Sequence, residues 1–133
     1  MKFGKRQDIY WKYNGHCGYC GCELKTQSDM QVDHIVPKSS FLWHIKNKHR
    51  IPEFLRHLTE NDVDNFKNLM PACRICNKWK SAFDLELFRH EISEQIKWLN
   101  EYNANYRLAK RYGLIQEIDR PIIFYFEQLK PKP

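Results

Sequence analysis

The chain has 133 residues, of which 42% are apolar, which suits one domain with a modest core and excludes two domains of ordinary size. Its 22 lysine and arginine residues exceed its 16 aspartate and glutamate residues, so the net charge of +6 favours a polyanionic partner. No apolar run approaches the roughly 20 residues of a membrane helix, and the first residues lack the apolar core of a signal peptide. We therefore expect a single domain, residues 1–133, that is cytoplasmic and has no membrane partner.

Three elements are predicted before residue 38. Apolar side chains recur on one side of residues 5–13 and Asn14-Gly15 follows them, which indicates a short amphipathic helix. Residues 16–24 are rich in glycine and cysteine, which favours turns over helix or strand. Residues 30–36 contain several β-branched side chains and are ended by Pro37, as in a short buried strand.

The middle of the chain is predicted to complete a ββα unit. Residues 38–67 mix aromatic, basic and acidic side chains, and we expect an insertion that contains a short helix. A brief second strand is predicted at residues 69–71. Residues 73–80 contain no helix breaker and have a helical spacing, so a helix follows that strand directly.

The last third of the chain is predicted to be a helical extension and a tail. Apolar side chains recur every three or four residues from an N-cap signal at Ser81-x-x-Asp84 to Gly113, which predicts one long helix over residues 82–113. The tail, residues 114–133, contains an apolar stretch at 121–127 that suits either a strand or a short docking helix. The last four residues, Lys130-Pro-Lys-Pro133, are expected to fray.

Four of the five cysteines form two Cys-x-x-Cys pairs, whose members are Cys17, Cys20, Cys73 and Cys76. Two residues between cysteines let one turn present two thiolates to a tetrahedral zinc ion, and a site filled by four protein ligands is structural. The alternative is a redox Cys-x-x-Cys, which requires only one such pair. The fifth cysteine, Cys22, competes with Cys20 as a ligand, although Cys20 has the better spacing.

An ordered set of short motifs runs through the first 80 residues. It consists of Cys17-x-x-Cys20, Asp33-His34-Ile-Val-Pro37, Asn68-Leu, and Cys73-x-x-Cys76-Asn77-x-x-Lys80. The set resembles the HNH endonucleases, in the four-cysteine form of phage- and prophage-encoded members, and covers about residues 6–90. The resemblance implies an α+β fold with a small ββα-metal (His-Me finger) core at residues 17–80. A zinc site of four cysteines staples this core, and an N-terminal helix and a long C-terminal helix flank it.

The resemblance also implies a role for each matched residue. His34 corresponds to the general base, Asp33 to the first metal ligand and Asn68 to the middle asparagine. Asn77 stands in the last position of the motif, with asparagine instead of histidine, so the chain is an HNN variant. Lys80 matches the lysine of the family motif.

The chemistry of these side chains supports similar roles. An imidazole such as that of His34 can accept a proton from water near neutral pH. The oxygen atoms of Asp33 and Asn77 suit Mg²⁺ or Mn²⁺, with Ni²⁺ as a further metal in vitro. Asn68 can bond backbone groups across a loop and hold His34 in place. The predicted function is therefore metal-dependent hydrolysis of DNA phosphodiester bonds.

Several features of this prediction stay open. Arg74, Lys78 and Lys80 are candidate phosphate contacts on one helix, and the alternative for them is a solvated helix face. One alternative function is a zinc-dependent DNA-binding module without nuclease activity. A thiol-redox protein is another, although no thioredoxin-like alternation of strands and helices follows Cys17. DNA is the predicted partner, and phage terminase or packaging proteins are further candidates. The sequence does not decide between nicking and double-strand cleavage.

Overall fold

A computed structural model of the chain describes residues 6–129. Its helices and strands are, in chain order, α1 (Arg6–Trp11), β1 (Gln31–His34), α2 (Phe41–Lys46), β2 (Leu69–Ala72), α3 (Arg74–Lys80), α4 (Leu85–Ser93), α5 (Gln95–Tyr102), α6 (Ala104–Arg111) and α7 (Tyr125–Gln128). Short 3-10 turns occupy much of the remaining chain before β2. The predicted fraying of the last four residues, like the predicted start of α1 at Lys5, lies outside the described residues.

The two strands form an antiparallel hairpin in which His34 faces Leu69 and Asp33 faces Met70. Every residue of β2 is buried. Helix α1 packs against β2, and helix α3 packs against β1. β1, β2 and α3 thus form the predicted ββα unit. A second, smaller core lies between α1 and this hairpin and consists of Ile9, Tyr10, Leu24, Met30 and Leu69.

The insertion at residues 38–67 contributes directly to the main core. It contains α2, the predicted short helix, and 3-10 turns at Lys38–Ser40, Lys48–Arg50, Glu53–Leu55 and Phe66–Asn68. Its buried apolar side chains are those of Phe41, Ile51, Leu55 and Leu58. The insertion is therefore part of the hydrophobic core of the domain.

Asp84 joins the insertion to the extension. Its carboxylate caps α4 through the amide of Leu87 at 2.9 Å and binds the Arg50 guanidinium at 2.8 and 3.0 Å. His44 Nε2 lies 3.2 Å from the same carboxylate. Burial opposes ionisation of Asp84, but these hydrogen bonds outweigh it and hold the pKa of the carboxyl below its usual range. The ionised carboxylate fixes α2 and the following turn against the start of α4.

The predicted extension is helical, but its continuity is corrected: α4, α5 and α6 replace one long helix. Asn103 leaves the helical conformation, with φ −119° and ψ 104°, and its side chain accepts a hydrogen bond from Tyr106 N at 2.9 Å. An N-cap asparagine starts a new helix, which allows α6 to turn and pack against α5. No helix within residues 6–129 has the length and apolar character needed to cross a membrane.

The tail returns to the first cysteine turn and ends as the docking helix α7. The amides of Tyr125 and Phe126 donate to the carbonyls of Tyr19 and Gly18, each at 2.9 Å. Arg89 of α4 binds both carboxylate oxygens of Glu127, at 2.8 and 2.7 Å. Residues that follow the extension therefore support the segment that carries the first two cysteines.

Candidate active site and zinc centre

Two turns bring the four predicted zinc ligands together. The Sγ atoms of Cys17, Cys20, Cys73 and Cys76 all lie within 4.8 Å of one another, and those of Cys20 and Cys73 are 3.8 Å apart. Sulfurs placed tetrahedrally at about 2.3 Å from a zinc ion are about 3.8 Å from each other, so the cluster fits zinc. An ion held by all four would keep no open position for water, which is the arrangement of a structural site.

Close backbone packing holds both cysteine turns in place. A Cβ atom at Gly18 would lie 1.9 Å from Met70 Sδ, so any larger residue there would force the buried Met70 side chain to move. Gly18 N also donates to Pro71 O at 2.8 Å. In the second turn, Cys73 caps α3, and its sulfur accepts a hydrogen bond from Cys76 N at 3.3 Å. The hairpin therefore sets the distance between the two pairs.

The crowded sulfurs perturb one another. Hydrogen bonds from Cys17 and then Cys76 lower the pKa of Cys20 to about 3, whereas the pKa of Cys76 is raised by the same kind of contact with Cys17 and Cys20. A thiolate surrounded by thiols is a strong ligand for a soft cation. Cys22 neighbours Cys20 and Cys73, and burial raises the pKa of its thiol, but it stands outside the group of four.

Asp33 and His34 are successive residues of β1, so their side chains leave opposite faces of the strand. Asp33 is buried, and its Oδ2 accepts a hydrogen bond from the Tyr19 hydroxyl at 2.5 Å and lies 3.0 Å from Lys80 Nζ. Lys80 Nζ also donates to the backbone carbonyl of His34 at 2.8 Å. This network anchors the backbone of His34 to α3 and to the first cysteine turn.

Burial governs the ionisation of the groups around Asp33. It lowers the pKa of Lys80, while the charge and hydrogen bond of Asp33 oppose that change. It also raises the pKa of Tyr19 well above its usual value, with a further contribution from the Asp33 carboxylate. Tyr19 therefore remains a hydrogen-bond donor to Asp33 across the physiological range.

His34 reaches the other face of β1, where its side chain is 19% exposed. Its Nε2 atom lies 2.8 Å from Asp64 Oδ1, and this hydrogen bond is the largest cause that holds the pKa of Asp64 below its usual range. A cleft of about 310 Å³ adjoins the imidazole and is lined by residues of β1, the Lys38–Ser40 turn and the Ser81-Ala82 linker. The imidazole therefore borders an open space large enough for a phosphate group.

Asn68 is fully buried and joins three segments. Its Oδ1 accepts from Val36 N at 2.8 Å, and its Nδ2 donates to the carbonyls of Val36 at 3.2 Å and Val63 at 2.9 Å. Its backbone carbonyl accepts from Ile35 N at 2.9 Å. Asn68 thus closes the loop behind His34, a position that suits its predicted positioning role.

One predicted DNA contact is corrected. Lys80 has no exposed surface, and its ammonium group is enclosed between Asp33 and the His34 carbonyl, so it cannot reach a phosphate in this arrangement. Arg74 and Lys78 lie on α3, and their contact with DNA stays a prediction. The metal-ligand role of Asn77, which is half-buried on the same helix, also stays a prediction.

Sequence reasoning missed two side chains of the site. Tyr19 lies between the first two zinc ligands, and its position in that turn is a signal that it packs close to the hairpin. Asp64 is one of three acids in residues 60–64 and stands 30 residues from His34, and no local pattern separates it from Glu60 or Asp62. A pairing of this kind appears only once the insertion is folded.

We expect Lys80→Met to destabilise the domain strongly. Removing one partner of a buried ion pair leaves the other charge uncompensated, which costs about 3–5 kcal/mol, whereas replacing both partners with neutral groups costs far less. The double variant Asp33→Asn, Lys80→Met should therefore be more stable than Lys80→Met alone. Denaturant unfolding of the zinc-loaded proteins measures both differences.

Lys78→Met is the matched control, because Lys78 is a lysine of the same helix that keeps contact with solvent. Its free energy of unfolding should stay within about 0.5 kcal/mol of the wild type, as for most surface substitutions. Equal losses for Lys80→Met and Lys78→Met would contradict the buried pair.

The hairpin and α3 define a ββα-metal fold with a four-cysteine cluster that can hold zinc, and comparison with known proteins agrees with that class. The model of the family described as HNH endonuclease matches residues 17–83, half of the chain. The chain belongs to the HNH endonuclease family. This membership implies a nuclease type of function in general.

A known relative is similar to part of the chain. The Septu protein PtuB of Bacillus thuringiensis is 32% identical over 72 residues, which are 53% of this chain and 21% of that protein. The chain thus spans about a fifth of the length of this relative. No solved structure matches the chain. A phage origin and a terminase or packaging partner stay predictions.

Proposed function

We propose that the chain is a metal-dependent endonuclease that hydrolyses phosphodiester bonds in DNA, with His34 as the group that activates water. The observation that carries this proposal is the setting of His34. Its imidazole borders the cleft, while Lys80 and Asn68 both bond the peptide group that joins His34 to Ile35. A general base must keep such a fixed position close to the reacting atoms.

The imidazole has one ring nitrogen for each of two tasks. Nε2 is bonded to Asp64, so Nδ1 is the nitrogen that takes a proton from the attacking water. The oxygen of that water then bonds to phosphorus as the bond from phosphorus to the 3′ oxygen breaks. The leaving oxygen is protonated from solvent, and His34 returns its proton to solvent after the cut.

Asp33 and Asn77 would hold the divalent ion. The donor set fits a hard cation such as Mg²⁺ or Mn²⁺, because the contacts of Asp33 with Tyr19 and Lys80 use Oδ2 and leave Oδ1 to bind the ion. Asn77 adds an amide oxygen from α3, which packs against β1. The bound ion would supply a positive charge that stabilises the leaving oxygen.

Cations near the cleft suit a polyanionic substrate. Lys38 lines the cleft beside His34, and its charge contributes to the lowered pKa of Asp64. Arg74 and Lys78 lie on α3, where they would contact phosphates farther from the cut. These three residues take over the phosphate-binding role for which Lys80 is too deeply buried.

One observation favours the alternative function, a zinc-dependent DNA-binding module without nuclease activity. The ammonium group of Lys80 already compensates the charge of Asp33, which weakens the attraction of that carboxylate for a divalent ion. A chain whose catalytic ion never binds would still present Lys38, Arg74 and Lys78 to DNA.

Cleavage of supercoiled plasmid by zinc-loaded protein distinguishes the two functions. The protein is first freed of loosely bound metal with a chelator and checked for retained zinc, and then Mg²⁺, Mn²⁺ or Ni²⁺ is added. If the protein is a metal-dependent nuclease, it should cleave the plasmid only after a divalent ion is added. DNA binding without cleavage under all three metals would overturn the proposal in favour of the binding module.

A further inference from the structure

The side chain beside the imidazole of His34 belongs to a different part of the chain. Asp64 lies near the end of the insertion, in the loop that leads to β2, and its Oδ1 is 2.8 Å from His34 Nε2. We propose that Asp64 is a positioning residue for His34: its carboxylate accepts the Nε2 hydrogen and fixes the imidazole with Nδ1 free to take a proton. This inference rests on the proposed function, in which His34 is the general base.

The loop that carries Asp64 is held on both sides. On one side, Asp62 accepts hydrogen bonds from the backbone and hydroxyl of Thr59, at 2.8 and 2.9 Å. On the other, Asn65 caps the Phe66–Asn68 turn by accepting from Lys67 N at 3.0 Å. Asp64 is therefore presented to His34 by a formed turn.

A single residue ties both partners together. Asn68 bonds the carbonyl of Val63, which precedes Asp64, and the amide of Ile35, which follows His34. The backbones on the two sides of the hydrogen bond thus share one buried anchor. Such a shared anchor fixes the distance between imidazole and carboxylate, as expected of a functional pair held by its surroundings.

The protonation states agree with this geometry. The hydrogen bond from His34 holds the pKa of Asp64 below its usual range, so the carboxylate is ionised at neutral pH and can only accept. His34 then donates from Nε2, and in the neutral imidazole Nδ1 is the acceptor. When Nδ1 takes a proton from water, the adjacent carboxylate stabilises the imidazolium, and Asp64 itself gains no proton.

Steady-state cleavage of a short duplex tests the inference in Asp64→Ala, with Glu60→Gln, at an exposed position of the same loop, as the control. Both variants remove one negative charge from the same loop, so a general gain in attraction for DNA affects them alike. Loss of a residue that orients a functional imidazole reduces activity by about 10–100-fold. We expect that loss in kcat for Asp64→Ala, with KM within about threefold of the wild type, because the orienting contact acts in the chemical step.

Asp64→Asn keeps the size and shape of the side chain, so it separates the effect of the lost charge from any loss of folding. It should fold and hold zinc as the wild type does, yet its kcat should fall below that of Glu60→Gln because the charge that stabilises the imidazolium is gone. Equal kcat values for Asp64→Asn, Asp64→Ala and Glu60→Gln would overturn the inference.

Nitrogen-15 NMR of labelled histidine provides a readout that needs no cleavage. The Nε2 hydrogen of His34, assigned by its absence in His34→Gln, should be observed in the wild type and in Glu60→Gln and lost in Asp64→Ala. Persistence of that signal in Asp64→Ala would overturn the inference. If the wild type cleaves no DNA, the proposed function fails, whereas the pairing of Asp64 with His34 is still decided by this signal.

Discussion

Cys73→Ser should abolish zinc binding and cooperative folding together. Structural zinc contributes an apparent binding free energy of about 10–16 kcal/mol, which is comparable with the whole stability of a small domain, about 5–15 kcal/mol. Cys73 is also the N-cap of α3, the helix that carries Lys80 against Asp33. Its loss therefore removes a metal ligand and frees the helix that supports His34.

Zinc content by mass spectrometry under native conditions and thermal unfolding by circular dichroism measure this effect. Cys22→Ser is the matched control, because Cys22 lies close to Cys20 and Cys73 but outside the group of four sulfurs. The control should keep one zinc ion per chain and unfold near the wild-type temperature. A Cys73→Ser protein that binds zinc and unfolds like the wild type, or a Cys22→Ser protein that loses zinc, would contradict the assignment of the four zinc ligands.

The ββα unit and the zinc cluster could be predicted because their signals are local. Two cysteines two residues apart, a short β-branched run ended by Pro37, and an unbroken helical stretch after Cys73 each specify their own segment. Pairing of the two cysteine turns then follows from tetrahedral coordination. The family motif adds the order in which the cysteine pairs, the strand and the helix follow one another, and no single motif gives that order.

The break in the extension could not be predicted from the same kind of signal. Apolar side chains keep a helical spacing through Asn103, and asparagine is tolerated inside a helix as well as preferred at an N-cap. What selects the cap is the packing of α6 against α5, a contact between segments. The buried role of Leu55 and Leu58 was hidden for a similar reason, since the insertion has no regular period.

Contacts between distant residues explain the remaining differences at the site. The sequence predicts Lys80 to be a surface cation on a helix. The packing of α3 against β1 instead buries it beside Asp33. Asp64 reaches His34 because the insertion folds back over the strand. Neither contact leaves a trace in the local sequence, because each depends on the tertiary fold.

Among changes that leave the fold intact, His34→Ala should have the largest effect on activity. A positioned general base contributes about 10²–10⁴-fold to the rate, so the kcat of the variant should fall by a factor in that range. The fold should survive, because the network of Lys80 and Asn68 contacts the backbone around His34 and leaves its imidazole at the cleft. His49→Ala, in an exposed turn of the insertion, is the matched control.

The most direct test is the rate of plasmid cleavage with Mg²⁺ or Mn²⁺ for the wild type, His34→Ala and His49→Ala, all folded and zinc-loaded. A metal-dependent HNH nuclease with His34 as its base predicts that the wild type and His49→Ala cut at equal rates and that His34→Ala is at least about a hundredfold slower. Equal cleavage by the wild type and His34→Ala would contradict it.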